Sequence, residues 1–217
     1  MSGPIDIVRA FHNAFRKDIS QIDDTVIGIA HEGGDLTPVL DRLHTMNEVL
    51  DYHARGEEAA VFPALDKIIP QVAKAYLWDH RELDIMVNGL EAIRKNPDPL
   101  TTARATAVLG SFLRIHLNKE DAHLYMILRE RTTENEQAAI AVLMSRSVPS
   151  DRFPTLIQWL FPLLGLDDQI VVVKGWMNLM PPQVFTNIRP LIEKAVAGNW
   201  GKLTAQVPEF EHRRDLA

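Results

Sequence analysis

Apolar residues in the first 130 positions recur at alternating steps of three and four, the spacing of helices with one buried face. The first stripe is Ile5, Val8, His12, Phe15, Ile19, Ile22 and Val26. Pro4 suits the first helical position, with Ser2 or Gly3 as cap, and Gly33-Gly34 closes the element. The second stripe is Val39, Leu43, Met46, Leu50, His53, Glu57 and Val61, opened by Thr37 as cap and Pro38. Pro63 is expected to end or kink this helix. A third helix, from around Pro70, carries Ala73, Tyr76, His80, Leu83, Val87 and Leu90. Asn96-Pro97-Asp98-Pro99 stops it and caps a fourth, with Leu109, Phe112, His116, Glu120, His123 and Ile127.

Long amphipathic helices joined by short turns pack as antiparallel neighbours. The pattern therefore predicts an all-α fold, an antiparallel up-down-up-down four-helix bundle. Thr133 and Glu136 form a capping box for a fifth helix ending near Ser147. Residues 148–154, VPSDRFP, read as a boundary between a bundle domain, 1–147, and a helical C-terminal extension, 148–217. Three short helices are expected in the extension, and the tail EFEHRRDLA is expected to fray. Trp159, Trp176 and Trp200 make the extension apolar, so it must pack on the bundle or on a second subunit as a homodimer contact.

Six polar residues interrupt the apolar stripes: His12, His53, Glu57, His80, His116 and Glu120. A four-residue step in a helix turns about 400°, so His53 shares a face with Glu57, and His116 with Glu120. His12 and His80 lie early in their helices, His53 and His116 late, so antiparallel packing brings all four to one end of the bundle. There is also an internal echo. HARGEEAAVF at 53–62 and HLNKEDAHLY at 116–125 agree at His, Glu, an acidic neighbour, Ala and a terminal aromatic. Two similar helical hairpins would give a pseudo-twofold site. Ionised glutamates among Leu and Val are costly unless paired or metal-bound, and metal cations would explain them.

Composition narrows the chemistry. Among 217 residues there is no cysteine, which removes disulfides, thiolate zinc sites and iron–sulfur clusters. Any metal must sit on imidazole and carboxylate. The net charge of −6 argues against a nucleic-acid partner. No apolar run approaches the ~20 residues of a membrane span, and the N-terminus lacks the pattern of a signal peptide. A cytoplasmic protein is expected.

His12, the His53–Glu57 pair, His80 and the His116–Glu120 pair resemble the hemerythrin-like family of His-His-Glu cation-binding proteins over roughly residues 5–130. The resemblance implies a four-helix bundle around a non-haem di-iron centre: two iron ions bridged by the two glutamates and an oxo or hydroxo group. Such centres meet dioxygen, nitric oxide or peroxide as small ligands. Oxygen-carrying hemerythrins have a fifth histidine one turn from the third-helix histidine. Here the positions one turn either side of His80 are Tyr76 and Asp84. One iron then has an open position or an oxygen ligand, which favours reactivity and makes Tyr76, in the inward stripe, the candidate catalytic residue.

Plainer readings apply elsewhere. Tyr52 and Tyr125 fall about 100° or more off the ligand face. His123 reads as core filler, Glu58 and Asp121 as solvated acids, His44 as exposed, and His31 and His212 as solvated. Three functions stay open: a redox enzyme of peroxidase or catalase type acting on a small oxidant, a dioxygen-binding or sensing module without turnover, and an iron-handling protein. A metal-free bundle with accidental histidines is the structural alternative.

Overall fold

The computed structural model describes residues 3–196 and 198–212 and is all-helical. Helix α1, Ile7–Glu32, follows a 3-10 turn at Pro4–Asp6 whose cap is Gly3. The Gly3 amide donates to the Asp6 carboxylate at 2.7 Å. Ser2, the alternative cap, lies outside the described residues. Gly33 ends α1 at φ 81°, a left-handed backbone that suits glycine. Helix α2, Thr37–Gly56, begins at Thr37 itself. The Asp35 carboxylate accepts from the Thr37 amide at 2.9 Å, so the expected cap belongs to the helix.

The chain does not stop at Pro63. A π-helical turn, Glu57–Val61, leads into α3, Phe62–Ile68, with Pro63 in its first turn. There the lost N–H and the ring of a proline are tolerated. Helix α4 starts at Ala73 rather than near Pro70 and runs to Arg94, because Gln71 takes a left-handed φ of 72°. Helix α5, Pro99–Lys119, is capped by Asp98, which accepts from the Thr101 amide at 2.7 Å. A second π turn, Glu120–Leu124, leads into α6, Tyr125–Arg131. No proline follows it, so proline does not cause both π turns. What they share is a run of Glu, an acidic residue and Ala, followed by an aromatic. Helix α7, Glu134–Ser145, has the capping box expected from Thr133 and Glu136.

Helices α1, α2, α4 and α5 each touch two of the others, α1 with α2 and α5, and α4 with α2 and α5. Their polar contacts run in opposite chain directions. Asp18 meets Arg42 while His12 meets His53; Asp23 meets Thr106 while Arg16 meets Asn118. All stripe residues of α1 and of the second predicted helix are buried. The fourth stripe drifts. His123 is exposed and Ile127 half-buried, whereas Leu124, Tyr125 and Leu128 are buried. The π turn inserts one residue, which rotates everything after Glu120.

Beyond residue 148 the extension holds α8 Phe153–Leu163, α9 Leu166–Leu179, α10 Pro182–Ala195, α11 Trp200–Gln206 and α12 Pro208–His212. The last two were not expected. Leu203, Val207 and Phe210 form a buried stripe of their own, and Arg189 donates to the Phe210 carbonyl at 2.9 Å, which holds this stretch down. The His212 side chain and residues 213–217, part of the tail expected to fray, lie outside the described residues. The extension packs on the bundle. One apolar core runs from Phe15 and Ile19 to Trp159, Phe161 and Trp176, with Phe15 and Trp159 ring centroids 4.9 Å apart. Buried Asp18 joins the two parts: it accepts from Trp159 Nε1 at 2.6 Å and from Arg42 Nε at 2.6 Å. Among the described residues no helix is long and apolar enough to cross a membrane.

Helix α7 crosses the end of α2 at Gly56, where an added Cβ would stand 2.9 Å from the Met144 carbonyl oxygen and 2.6 Å from its Cγ. Backbone cannot give as a side-chain tip can. Gly56→Ala should therefore cost about 1–3 kcal/mol of stability, the usual range for overpacking. Urea unfolding would measure it, and an unchanged midpoint would contradict the close crossing.

Candidate metal centre

The six polar residues of the stripes converge. His12, His53, Glu57 and Glu120 each offer one atom, and these atoms all lie within 4.8 Å of one another; Glu57, His80, His116 and Glu120 do the same. The two groups share both glutamates. All six residues are buried, so water does not screen them.

Each glutamate divides its oxygens between the two histidine pairs. Glu57 Oε1 lies 3.3 Å from His53 Nε2, and its Oε2 lies 3.3 Å from His80 Nε2. Glu120 Oε1 lies 3.3 Å from His116 Nε2, and its Oε2 lies 3.6 Å from His12 Nε2. The histidine pairs mirror each other: His12 and His53 rings are 5.1 Å apart at 73°, His80 and His116 rings 5.1 Å apart at 72°. This is the pseudo-twofold arrangement that the sequence echo predicts.

Without a cation the electrostatics are strained. Burial and the neighbouring Glu57 carboxylate push Glu120 well above the usual carboxylate range. Burial acts on Glu57 in the same direction, but His53 and His80 outweigh it and hold that carboxyl well below. Burial opposes charge on His80, yet Glu120 and Glu57 raise it to about 11. Burial lowers His116 to about 4 and pulls His12 down as well. Protons are a poor means of balancing this cluster, and both Glu120 oxygens, Glu57 Oε2 and His80 Nε2 are buried without a hydrogen-bond partner. Buried polar atoms are seldom left so. His12 Nε2 and His53 Nε2 stand 3.1 Å apart, about the separation of two ligands each roughly 2.1 Å from one ion. The donor set therefore fits metal cations.

Carboxylates back three of the four histidines. Asp121 Oδ1 lies 2.8 Å from His12 Nδ1, Glu58 Oε1 2.9 Å from His80 Nδ1, and Asp79 Oδ2 3.3 Å from His116 Nδ1. A carboxylate at Nδ1 keeps the proton there and leaves Nε2 free to face a metal. Asp121 and Glu58 are thus not simply solvated acids. Each serves a histidine of the opposite hairpin, and both are the acidic neighbours repeated in the echo, which was the available signal. Asp79 left none, since its role depends on how α4 meets α5. Arg16 holds the other Asp121 oxygen at 2.5 Å, and Lys119 pairs with Asp79.

The π turns place two further rings. The Phe62 amide bonds to the Glu57 carbonyl and the Tyr125 amide to the Glu120 carbonyl, each five residues back. This brings the aromatic five residues after each glutamate back toward the glutamate's own face. Phe62 packs on His80 with ring centroids 5.0 Å apart, and Tyr125 on His12 at 5.6 Å. Buried Tyr125 donates its hydroxyl to Glu57 Oε1 at 2.5 Å, contrary to the expectation that it lies off the ligand face. Tyr76 packs against Phe62 at 6.0 Å, and burial with the Glu120 and Asp79 charges raises its pKa to about 12. Asp84 is exposed and outside the cluster; His44 is exposed and pairs with Glu91, and His31 is exposed.

The model of the hemerythrin HHE cation-binding domain matches residues 3–128, which include all six converging residues and their carboxylate partners. The chain belongs to the hemerythrin family. Members of this family bind metal cations, and the His/Glu cluster could hold one or more. Among curated proteins, it is 22% identical over 201 residues to a BRUTUS-like zinc finger protein of Arabidopsis thaliana, covering 84% of this chain and 16% of that one. It is 23% identical over 172 residues to zinc finger protein BRUTUS of the same plant, covering 76% and 14%. The chain thus spans about one seventh to one sixth of the length of these relatives. No solved structure matches it. The hemerythrin match ends before α7 and the extension.

If Asp121 orients His12 for a cation, Asp121→Asn should weaken metal affinity about 10- to 100-fold, as is usual for a lost partner of a ligand. Competition with a chelator would measure it, and an unchanged affinity would leave Asp121 a role in packing alone.

Proposed function

We propose that this hemerythrin-like chain holds two iron ions on His12, His53, His80, His116, Glu57 and Glu120 and uses them on a small oxidant: peroxide, dioxygen or nitric oxide. The observation that carries the reading is the pair of buried glutamates, each splitting its oxygens between two imidazole pairs and leaving three oxygens unpartnered. His12 and His53 would serve one ion, His80 and His116 the other, and both glutamates would be shared. In this reading α1, α2, α4 and α5 form an up-down-up-down bundle that fixes the two hairpins around the ions. Imidazole and carboxylate ligands suit iron. A pair of irons supplies redox chemistry toward small oxidants.

The protein's own groups do the rest. Burial keeps the cluster dry, which strengthens each charge interaction. Asp121, Glu58 and Asp79 hold protons at Nδ1 of His12, His80 and His116 and aim the rings. Tyr125 holds a proton at its hydroxyl against Glu57 Oε1; burial and the glutamate charges push its pKa well above 10, so that proton stays. The equivalent place in the other half is Phe62, which has none. The halves therefore differ, with a hydroxyl beside His12 and an apolar ring beside His80. Tyr76, packed on Phe62 at the His80 side, is the candidate for contact with the bound oxidant.

Metal analysis of the purified chain should find two irons, with near-ultraviolet absorption. His53→Ala and Glu120→Ala should each lose at least half the iron while keeping helical circular dichroism. Full iron in either variant would overturn the ligand assignment. Oxygen release on adding peroxide to the iron-loaded chain supports turnover. A fully reversible optical change on cycling oxygen, with no peroxide consumed, would make the chain a carrier or sensor instead.

A further inference from the structure

A cavity of about 260 Å³ lies where α1 and α2 meet α7 and the extension. Ile7, Phe11, Met144, Trp176 and Met180 line it, together with the His53 imidazole. We infer that this cavity is a binding site for a compact, uncharged, hydrophobic small molecule seated against the His53 side of the centre.

The walls decide the class of ligand. The side chains lining the cavity that carry a polar atom are Tyr52, His53, Ser145 and Trp176, and no carboxylate, lysine or arginine is among the lining residues. The Tyr52 hydroxyl donates to Glu48, and Ser145 Oγ donates to the Val142 carbonyl at 2.8 Å. His53 Nε2 is turned to His12 and Glu57. A charged ligand would lose its water and find no charged side chain to replace it. An apolar one would lose unfavourable contact with water and meet a lining that is mostly carbon and sulfur. Met144 and Met180 are unbranched and polarisable, which lets the walls adapt to a flat ring or a short chain.

Size follows from volume. A cavity of roughly 150 Å³ lined by aliphatic and aromatic side chains stays dry and takes up benzene. The space here is larger by somewhat less than a factor of two, enough for roughly ten non-hydrogen atoms on that scale. The space is partly open to solvent, which gives a ligand a way in. Met144, Phe153, Trp176, Met180 and Val184 all lie beyond the part of the chain that matches the hemerythrin model, which ends at residue 128. The segment whose purpose the bundle leaves unexplained thus closes one side of the site against α1 and α2. Phe11 stacks on His53 with ring centroids 6.2 Å apart, so a molecule in the cavity would press on a side chain of the centre.

The test needs no metal. Naphthalene and the 2-naphthoate anion are titrated into the full-length chain, and the methyl resonances of Met144 and Met180 are followed by NMR. Naphthalene should shift both saturably, and naphthoate should bind at least tenfold more weakly. Met180→Trp should fill the space and abolish the shift at Met144. Val184 is 44% exposed, so Val184→Arg should fold normally and weaken naphthalene binding at least tenfold. Absence of saturable shifts, equal binding of the anion, or unaltered binding in Val184→Arg would overturn the inference. So would a dimer in solution that buries Met180 and Val184 and closes the cavity to naphthalene.

Discussion

The structure is organised around two glutamates that share one dry space. Glu57 and Glu120 stand at matching points of two helical hairpins, and each turns one oxygen to either histidine pair. Two carboxylates this close and this buried repel each other unless positive charge comes between them. Four imidazoles can supply it only by taking protons, and burial resists that for His12 and His116. Folding brings the chain to this arrangement nonetheless. A bound cation would lower the cost of burying it, and metal occupancy would then be coupled to stability.

Much of this was legible in the sequence. Placing a histidine or glutamate where the three–four stripe calls for leucine marks a residue as buried, and the positions of the four histidines along their helices give their common depth. Face and depth together identify His12, His53, Glu57, His80, His116 and Glu120 as neighbours before any coordinates. The echo between 53–62 and 116–125 gives the pseudo-twofold relation.

What the sequence concealed came from backbone geometry and from crossings between helices. Stripe arithmetic assumes about 100° per residue. The two π turns break that assumption right after each glutamate, and this is why Tyr125 reaches Glu57 and why His123 faces solvent. Both turns fall on the echoed run of Glu, an acidic residue and Ala, residues equally at home in a regular helix. Asp79 reaches His116 across an interface, so spacing along one helix says nothing of it. The extension was readable as apolar. That it packs on α1, through Asp18, Trp159 and Phe15, depends on three-dimensional fit. Its burial also explains why a segment rich in tryptophan continues as ordered helix to Phe210.

The direct test of the shared-glutamate centre is X-ray diffraction from crystals of the as-purified protein, collected on both sides of the iron absorption edge. The account predicts two anomalous peaks roughly 3.5–4 Å apart, the usual spacing of paired metal ions, one beside His12 and His53 and the other beside His80 and His116, with Glu57 and Glu120 between them. A single peak, a peak elsewhere, or iron-loaded crystals with no anomalous signal at these residues would contradict it.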